Sequence, residues 1–299
     1  MNHTAFDNPF ARLPDGQTRL LAVIGHPVAH TLSPAMHNPA LAWLGMNMRY
    51  LAFHVHPDRL QDAVRGFVAM GVVGFNATVP HKESLLSLMD WLDPLARRIG
   101  AVNTVAIDPD GTLRGYNTDA GGFTDALADA ERGRSPVDPD RRSVLILGAG
   151  GAARGVAVGL LEGGTRRIVV ANRTQARGEQ LIADLAPHYP QAELTAIPLE
   201  PGPLPLEETD LLVNTTLLGL EGEEMCVVGM HRLPGSALVY DIVYTPRETP
   251  FLRAARHHGL AVENGLGMLI HQGSRAFEIW TGQKMPVEQV RERLLQLLL

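Results

Sequence analysis

At residues 147–153 the chain reads Leu-Gly-Ala-Gly-Gly-Ala-Ala, directly after an apolar run at 144–147. Gly148 and Gly150, with Ala153 in the third small position, satisfy G-x-G-x-x-G/A between a strand and a helix. The first glycine permits a tight turn, and the second lets the backbone approach a pyrophosphate. The helix that follows then offers amide donors and the positive end of its dipole. Gly148, Ala149, Gly150, Gly151 and Ala152 are therefore candidate nucleotide-binding residues. The plainer alternative is a glycine-rich turn that only allows close helix–strand packing.

The next strand, at 167–171, is followed by Asn172-Arg173-Thr174, where an NAD-binding protein would carry an acid for the ribose hydroxyl. No carboxylate stands there to repel a phosphate. Arg173 and Arg177 are placed to bind a 2′-phosphate by charge-assisted hydrogen bonds. These residues point to NADP rather than NAD, against the alternative of two ordinary surface arginines.

The rest of the chain alternates strands and helices, which implies parallel α/β domains. Strands are expected at 20–24, 49–55 and from Gly74, then at 102–107 and 112–116, the last two joined by an Asp-Pro-Asp-Gly turn as an antiparallel edge. Ser33-Pro34 reads as an N-cap and first helical residue. Helical pieces are expected at 83–89 and 94–99, and a helix at 121–130. In the second half strands fall at 144–147, 167–171, 194–197, 210–214, 238–244 and 260–263. Helices fall at 152–161, 176–186, 250–258, 268–281 and 286–298. Residues 1–18 read as a loose leader.

With 299 residues, 45% of them hydrophobic and 19% charged, the chain has material for two soluble domains. A net charge of -6 argues against a general nucleic-acid binder. The single cysteine, Cys226, allows no internal disulfide and fits a reducing, cytoplasmic setting. The N-terminal residues carry no signal-peptide pattern, and no run of 18 apolar residues suggests a membrane span.

A nicotinamide cofactor requires a group that exchanges a proton with the reacting oxygen. Lys82, in Thr78-Val79-Pro80-His81-Lys82, and Asp119, in Asn117-Thr118-Asp119, both fall at strand-to-helix turns. Asn76, Thr78 and His81 are placed to share that strand end, although a solvated lysine and a helix-capping aspartate are the bland readings. Thr31 and Ser33 put two hydroxyls at a helix start, a good carboxylate site if Ser33 is more than a cap. Metal binding by His26, His30 and His37, or by His54 and His56 on one strand face, is not expected, because no zincin spacing occurs.

The segments 25–38, 76–82, 100–104 and 115–119, the glycine loop, 172–174, 241–244 and 264–272 together resemble the shikimate dehydrogenase family, in its order and over nearly the whole chain. The resemblance implies an enzyme interconverting 3-dehydroshikimate and shikimate with NADP. Lys82 and Asp119 would be its catalytic pair. Thr31 and Ser33 would hold the substrate carboxylate, with Asn76, Thr78, Lys82, Asn103, Asp119, Tyr244 and Gln272 around the ring, and Gly265 on the cofactor side. The implied architecture is a discontinuous α/β catalytic domain, 1–118 with 265–299, and a Rossmann-type doubly wound NADP domain at 119–264. A small-molecule substrate is the expected partner, with a homodimer open as the assembly. Thr31 in place of a serine, Ala77 in place of a valine, and a 214–220 loop without its usual proline and methionine depart from the family pattern. Quinate or an aminoshikimate-like substrate, or a silent NADP sensor on the same fold, are therefore alternatives.

Overall fold

The computed structural model describes residues 13–135, 137–200, 204–216 and 229–298. Cys226 and the 217–220 part of the departing loop lie outside the described residues, as do residues 1–12. The chain forms two compact units. One ends at Thr118 and resumes at Ile270, and the other runs from Asp119 to Leu269.

The first unit is built on β1 (Arg19–Gly25), β2 (Met48–His54), β3 (Gly74–Ala77), β4 (Trp91–Leu92), β5 (Thr104–Ile107) and β6 (Leu113–Tyr116). Their order is β2-β1-β3-β5-β6-β4. The apolar β1 lies between two parallel neighbours, as strands buried on both faces do. The β5–β6 hairpin is antiparallel, and β3 also pairs antiparallel with β5. The hairpin is not the outer edge, because the two-residue β4 adds parallel to β6. Two residues bounded by turns offer no periodicity from which to read a strand. Helices α1 (Ser33–Trp43), α2 (Leu60–Ala69) and α3 (Pro94–Ile99) connect these strands. Asp93 caps α3 by accepting from the amides of Leu95 and Ala96. Gly100, at φ 71, then ends the helix and turns the chain toward Asn103.

The second unit begins with α4 (Asp119–Ala130), two residues earlier than the spacing predicts. It continues through β7 (Ser143–Leu147), α5 (Gly151–Glu162), β8 (Arg167–Asn172), α6 (Gln175–Leu185) and β9 (Glu193–Pro198). β10 (Leu211–Asn214), β11 (Leu238–Asp241), α7 (Pro250–His257) and β12 (Ala261–Glu263) complete the sheet. All its pairings are parallel, in the order β12-β11-β10-β7-β8-β9. This is the doubly wound arrangement, with its switch point between β7 and β10.

Helix α8 (Leu266–Thr281) carries the chain back, and α9 (Val287–Leu297) packs on α1. The compact units divide at Ile270, inside α8. Gly74 has no side chain where the Trp280 ring lies, and the Trp280 indole donates to Val105 O at 2.9 Å. The supposed leader is tied down at its end: Asn47 donates to Asp15 at 2.8 Å and accepts from Thr18 at 2.9 Å.

His37 of α1 is fully buried and stacked on Tyr50, with neither ring nitrogen hydrogen-bonded. Burial lowers its pKa to about 3. A depressed histidine favours the fold above the unfolded pKa near 6.5, and that contribution fades as pH falls toward 3. The full shift corresponds to on the order of 5 kcal/mol. Urea titrations between pH 7 and 4 should therefore show a steep loss of stability that His37→Phe blunts. An unchanged acid slope in that variant would refute the assignment.

Candidate active site

In the first unit the polar residues form a wall at the carboxyl end of β3. Asn76 donates to Asn103 O at 3.1 Å and to Thr104 Oγ1 at 2.9 Å, and accepts from the Tyr50 hydroxyl at 2.6 Å. Asn103 accepts from the Thr118 amide at 2.8 Å and donates to the Thr118 hydroxyl at 3.0 Å. Both amide ends of Asn76 are thus committed to the wall. Ala77, one residue on, belongs to an apolar cluster with Phe75, Leu85 and Val102. The valine-to-alanine departure bears on packing beneath the wall.

Lys82 stands half-buried on the turn after β3. Its carbonyl accepts from Val102 N at 2.8 Å, and Thr78 N donates to Ile24 O at 2.9 Å, so the turn is pinned at both ends. Thr78 is half-buried beside it. His81 does not face the mouth. Its ring turns inward to Val55 O at 2.9 Å, 1% exposed, and burial lowers its pKa, the hydrogen bond opposing and a nearby His26 assisting.

Ser33 is not a cap. The residue before it, Leu32, holds the N-cap position, and the Ser33 amide donates to Thr31 Oγ1 at 3.2 Å. The Thr31 hydroxyl donates to Ser33 Oγ at 3.1 Å, which pairs the two hydroxyls at the start of α1. Ser33 also bonds the Tyr50 hydroxyl, whose pKa burial pushes well up while this bond pulls it down. Tyr50 thus joins the Thr31–Ser33 pair to the Asn76 wall. Its place in an ordinary-looking strand hides that role from the sequence. Gln272 lies half-buried on the returning part of α8.

The histidine geometry differs from the strand-face picture. β2 ends at His54, and His56 instead caps a short 3-10 turn, accepting from Asp58 N at 3.3 Å. His26 and His54 meet through ring nitrogens.

In the second unit Asp119, 4% exposed, is the first residue of α4. The glycine loop closes β7 onto α5 with Gly148 at φ +107, and a Cβ there would lie 2.7 Å from Thr215 Oγ1. Gly150 is the N-cap of α5, makes no side-chain cap, and has open space where a Cβ would point. A turn with no side chain larger than a methyl, over helix amides without a side-chain cap, fits a dinucleotide diphosphate. Ala149, Gly151 and Ala152 complete this turn. At the end of the adjacent strand β8, Asn172 donates to Thr174 O at 2.8 Å, and Arg173, Thr174 and Arg177 are exposed. Gly265 packs against the Ile242 carbonyl where no side chain fits, and donates to Val243 O at 3.2 Å. Tyr244 is half-buried after β11.

Asp241, Asn214 and Thr249 form a buried polar group that sequence reasoning does not single out. Asp241 accepts from Asn214 Nδ2 at 2.9 Å, Val243 N at 3.1 Å and Thr249 Oγ1 at 2.6 Å. Burial pushes its carboxyl up to about 6, against the downward pull of these bonds. The available signals are an aspartate ending an apolar strand and its place at the head of the 241–244 segment.

A doubly wound sheet with a bare glycine turn at its switch point, joined in one chain to an α/β unit with a polar strand-end wall, defines a two-domain nicotinamide-nucleotide dehydrogenase. Residues 23–105 match the shikimate dehydrogenase substrate binding domain, 131–242 match shikimate / quinate 5-dehydrogenase, and 265–295 match the shikimate 5'-dehydrogenase C-terminal domain. A shikimate dehydrogenase (NADP(+)) of Magnetococcus marinus is 50% identical over 94% of this chain and 97% of its own. The crystal structure of shikimate 5-dehydrogenase from Thermus thermophilus with NADP(H) and shikimate is 38% identical, covers 93% of this chain and 99% of its own, and superposes with a TM-score of 0.81. Quinate dehydrogenase from Corynebacterium glutamicum, in complex with NAD, is 29% identical over 93% of this chain and 99% of its own, with a TM-score of 0.83. The chain belongs to the shikimate dehydrogenase family.

Proposed function

We propose that this protein catalyses the reversible, NADP-linked reduction of 3-dehydroshikimate to shikimate, a step toward aromatic amino acids. The observation that carries this reading is the pinned Lys82 turn beside the Asn76–Asn103–Thr118 wall, in a chain 50% identical to an NADP-dependent shikimate dehydrogenase. NADPH, when bound, supplies a hydride to the carbonyl carbon. The Lys82 ammonium gives a proton to the carbonyl oxygen as it becomes a hydroxyl, and the Lys82 amine takes it back in the oxidative direction. Asp119 is the second member of the catalytic pair. The Thr31 and Ser33 hydroxyls donate to the substrate carboxylate. Thr78, Asn103, Gln272 and Tyr244 bind around the ring, and Asn76 keeps that wall rigid. On the cofactor side, the loop from Gly148 to Ala152 takes the diphosphate, Asn172, Arg173, Thr174 and Arg177 take the adenosine phosphate end, and Gly265 lines the pocket. We read the compartment as cytoplasmic, and sedimentation equilibrium tests whether the assembly is a homodimer.

The test is one grid of initial rates with shikimate and quinate, each against NADP and NAD. Shikimate with NADP should dominate. Activity confined to quinate and NAD would overturn the reading, and NADPH binding without any turnover would favour a sensor. In the same grid Arg173→Ala should raise the KM for NADP by about tenfold, the worth of one charge-assisted bond, and leave NAD almost unchanged. Equal losses with both cofactors would remove the phosphate role from Arg173.

A further inference from the structure

The carboxylate of Asp241 accepts only, so each group that faces it must donate. Asn214 therefore presents its NH2 to Asp241 and its carbonyl oxygen the other way. That oxygen accepts from the amide of Thr216 at 3.0 Å and from its hydroxyl at 2.7 Å. The neighbouring Thr215 hydroxyl donates to Leu147 O at 2.7 Å, and Thr215 and Thr216 are the residues packed against the bare face of Gly148. On its other oxygen Asp241 accepts from Thr249, which caps α7 by accepting from Leu252 N at 3.3 Å. Asp241 thus has one arm toward the glycine loop and one toward α7. Asn214 and Asp241 are both fully buried, so water does not replace either bond.

We propose that Asp241 is a positioning residue for the dinucleotide: by fixing the polarity of the Asn214 amide it holds the Thr215–Thr216 turn against Gly148, and so sets the opening at the β7–β10 switch point. The inference rests on the cofactor assignment above. Asparagine at 241 both donates and accepts, so it leaves the Asn214 amide free to turn over and release Thr216. Loss of the Thr249 arm leaves that polarity intact.

NADPH affinity, read by fluorescence titration on the full chain, separates the two arms. Asp241→Asn and Asn214→Ala should each weaken NADPH by about tenfold, the worth of one buried hydrogen bond. The double variant should be no weaker than either single one, because both act through the same contact. Thr249→Val should lower the melting temperature yet bind NADPH within about twofold of wild type, since its arm does not reach the glycine loop. The KM for shikimate should stay unchanged throughout. Wild-type affinity in both Asp241→Asn and Asn214→Ala overturns the proposal. So does a Thr249→Val loss equal to theirs, which would reduce Asp241 to a general stabiliser. Strict additivity of the two singles also overturns it. A wild-type protein that binds no NADPH overturns the cofactor assignment itself, a result distinct from the other three.

Discussion

Lys82→Ala is expected to lower kcat by about 10²–10⁴-fold, the range a positioned general acid contributes, while NADPH binds as in wild type. The backbone of this turn explains why the loss should be chemical. Lys82 is anchored through its carbonyl to Val102 N, and its neighbour His81 through the ring to Val55 O, and neither bond involves the lysine side chain. Truncation therefore removes the proton donor and leaves the turn in place. Single-turnover hydride transfer, followed by NADPH absorbance, should slow by the same factor as kcat. An unchanged single-turnover rate would move the proton to another group. Loss of NADPH binding would mean that Lys82 belongs to the cofactor pocket.

Gly148→Ala should have the second largest effect, on both binding and folding. At φ +107 an alanine is strained wherever it points, by about 1–3 kcal/mol. Its methyl would also meet Thr215 Oγ1, which is already committed to Leu147 O. We expect NADPH affinity to fall by roughly 10–100-fold, from that strain and the shifted turn, and the melting temperature to drop by several degrees, about 4–8 °C. Gly150→Ala provides the contrast. Gly150 has φ -91 and open space at its Cβ direction, so alanine fits the protein without ligand. It should retain its melting temperature and still lose NADPH affinity, because the methyl stands where the diphosphate approaches. Equal melting losses in the two variants would refute this division between a glycine needed by the fold and one needed by the ligand.

The periodic parts of the chain are readable because burial and pattern agree. The run Val144–Leu147 and the glycines after it announce a parallel sheet with a tight glycine turn, and the structure has both. The short β4 carries no period, and Trp91-Leu92 becomes a strand only because β6 offers it an edge. Ser33 misleads because Ser-Pro is a sound local capping signal. The tertiary pull of Tyr50 and the nearby Thr31 hydroxyl gives that serine a different partner. Position alone puts His81 at the strand mouth, and only the packed backbone of Val55 explains its inward turn. Lys82, Asp119 and the glycine turn are legible as candidates through motif order. Tyr50 and Asp241 are not, since a tyrosine or an aspartate on a strand declares no partner until the neighbouring strands are placed.

The chain re-enters the first unit inside α8, after the whole second unit has been laid down. Synthesis runs from the N-terminus, and this order has a consequence for the nascent protein. The second unit is contiguous and has all its strands once β12 has emerged. The first unit, although begun earlier, still lacks Trp280 against Gly74 and α9 against α1. The sheet face at Gly74 and the α1 face around Met36 and His37 must wait, uncovered, for α8 and α9 to leave the ribosome. The unit that starts first therefore finishes last, and a premature stop near residue 270 would leave the second unit tethered to an unfinished partner.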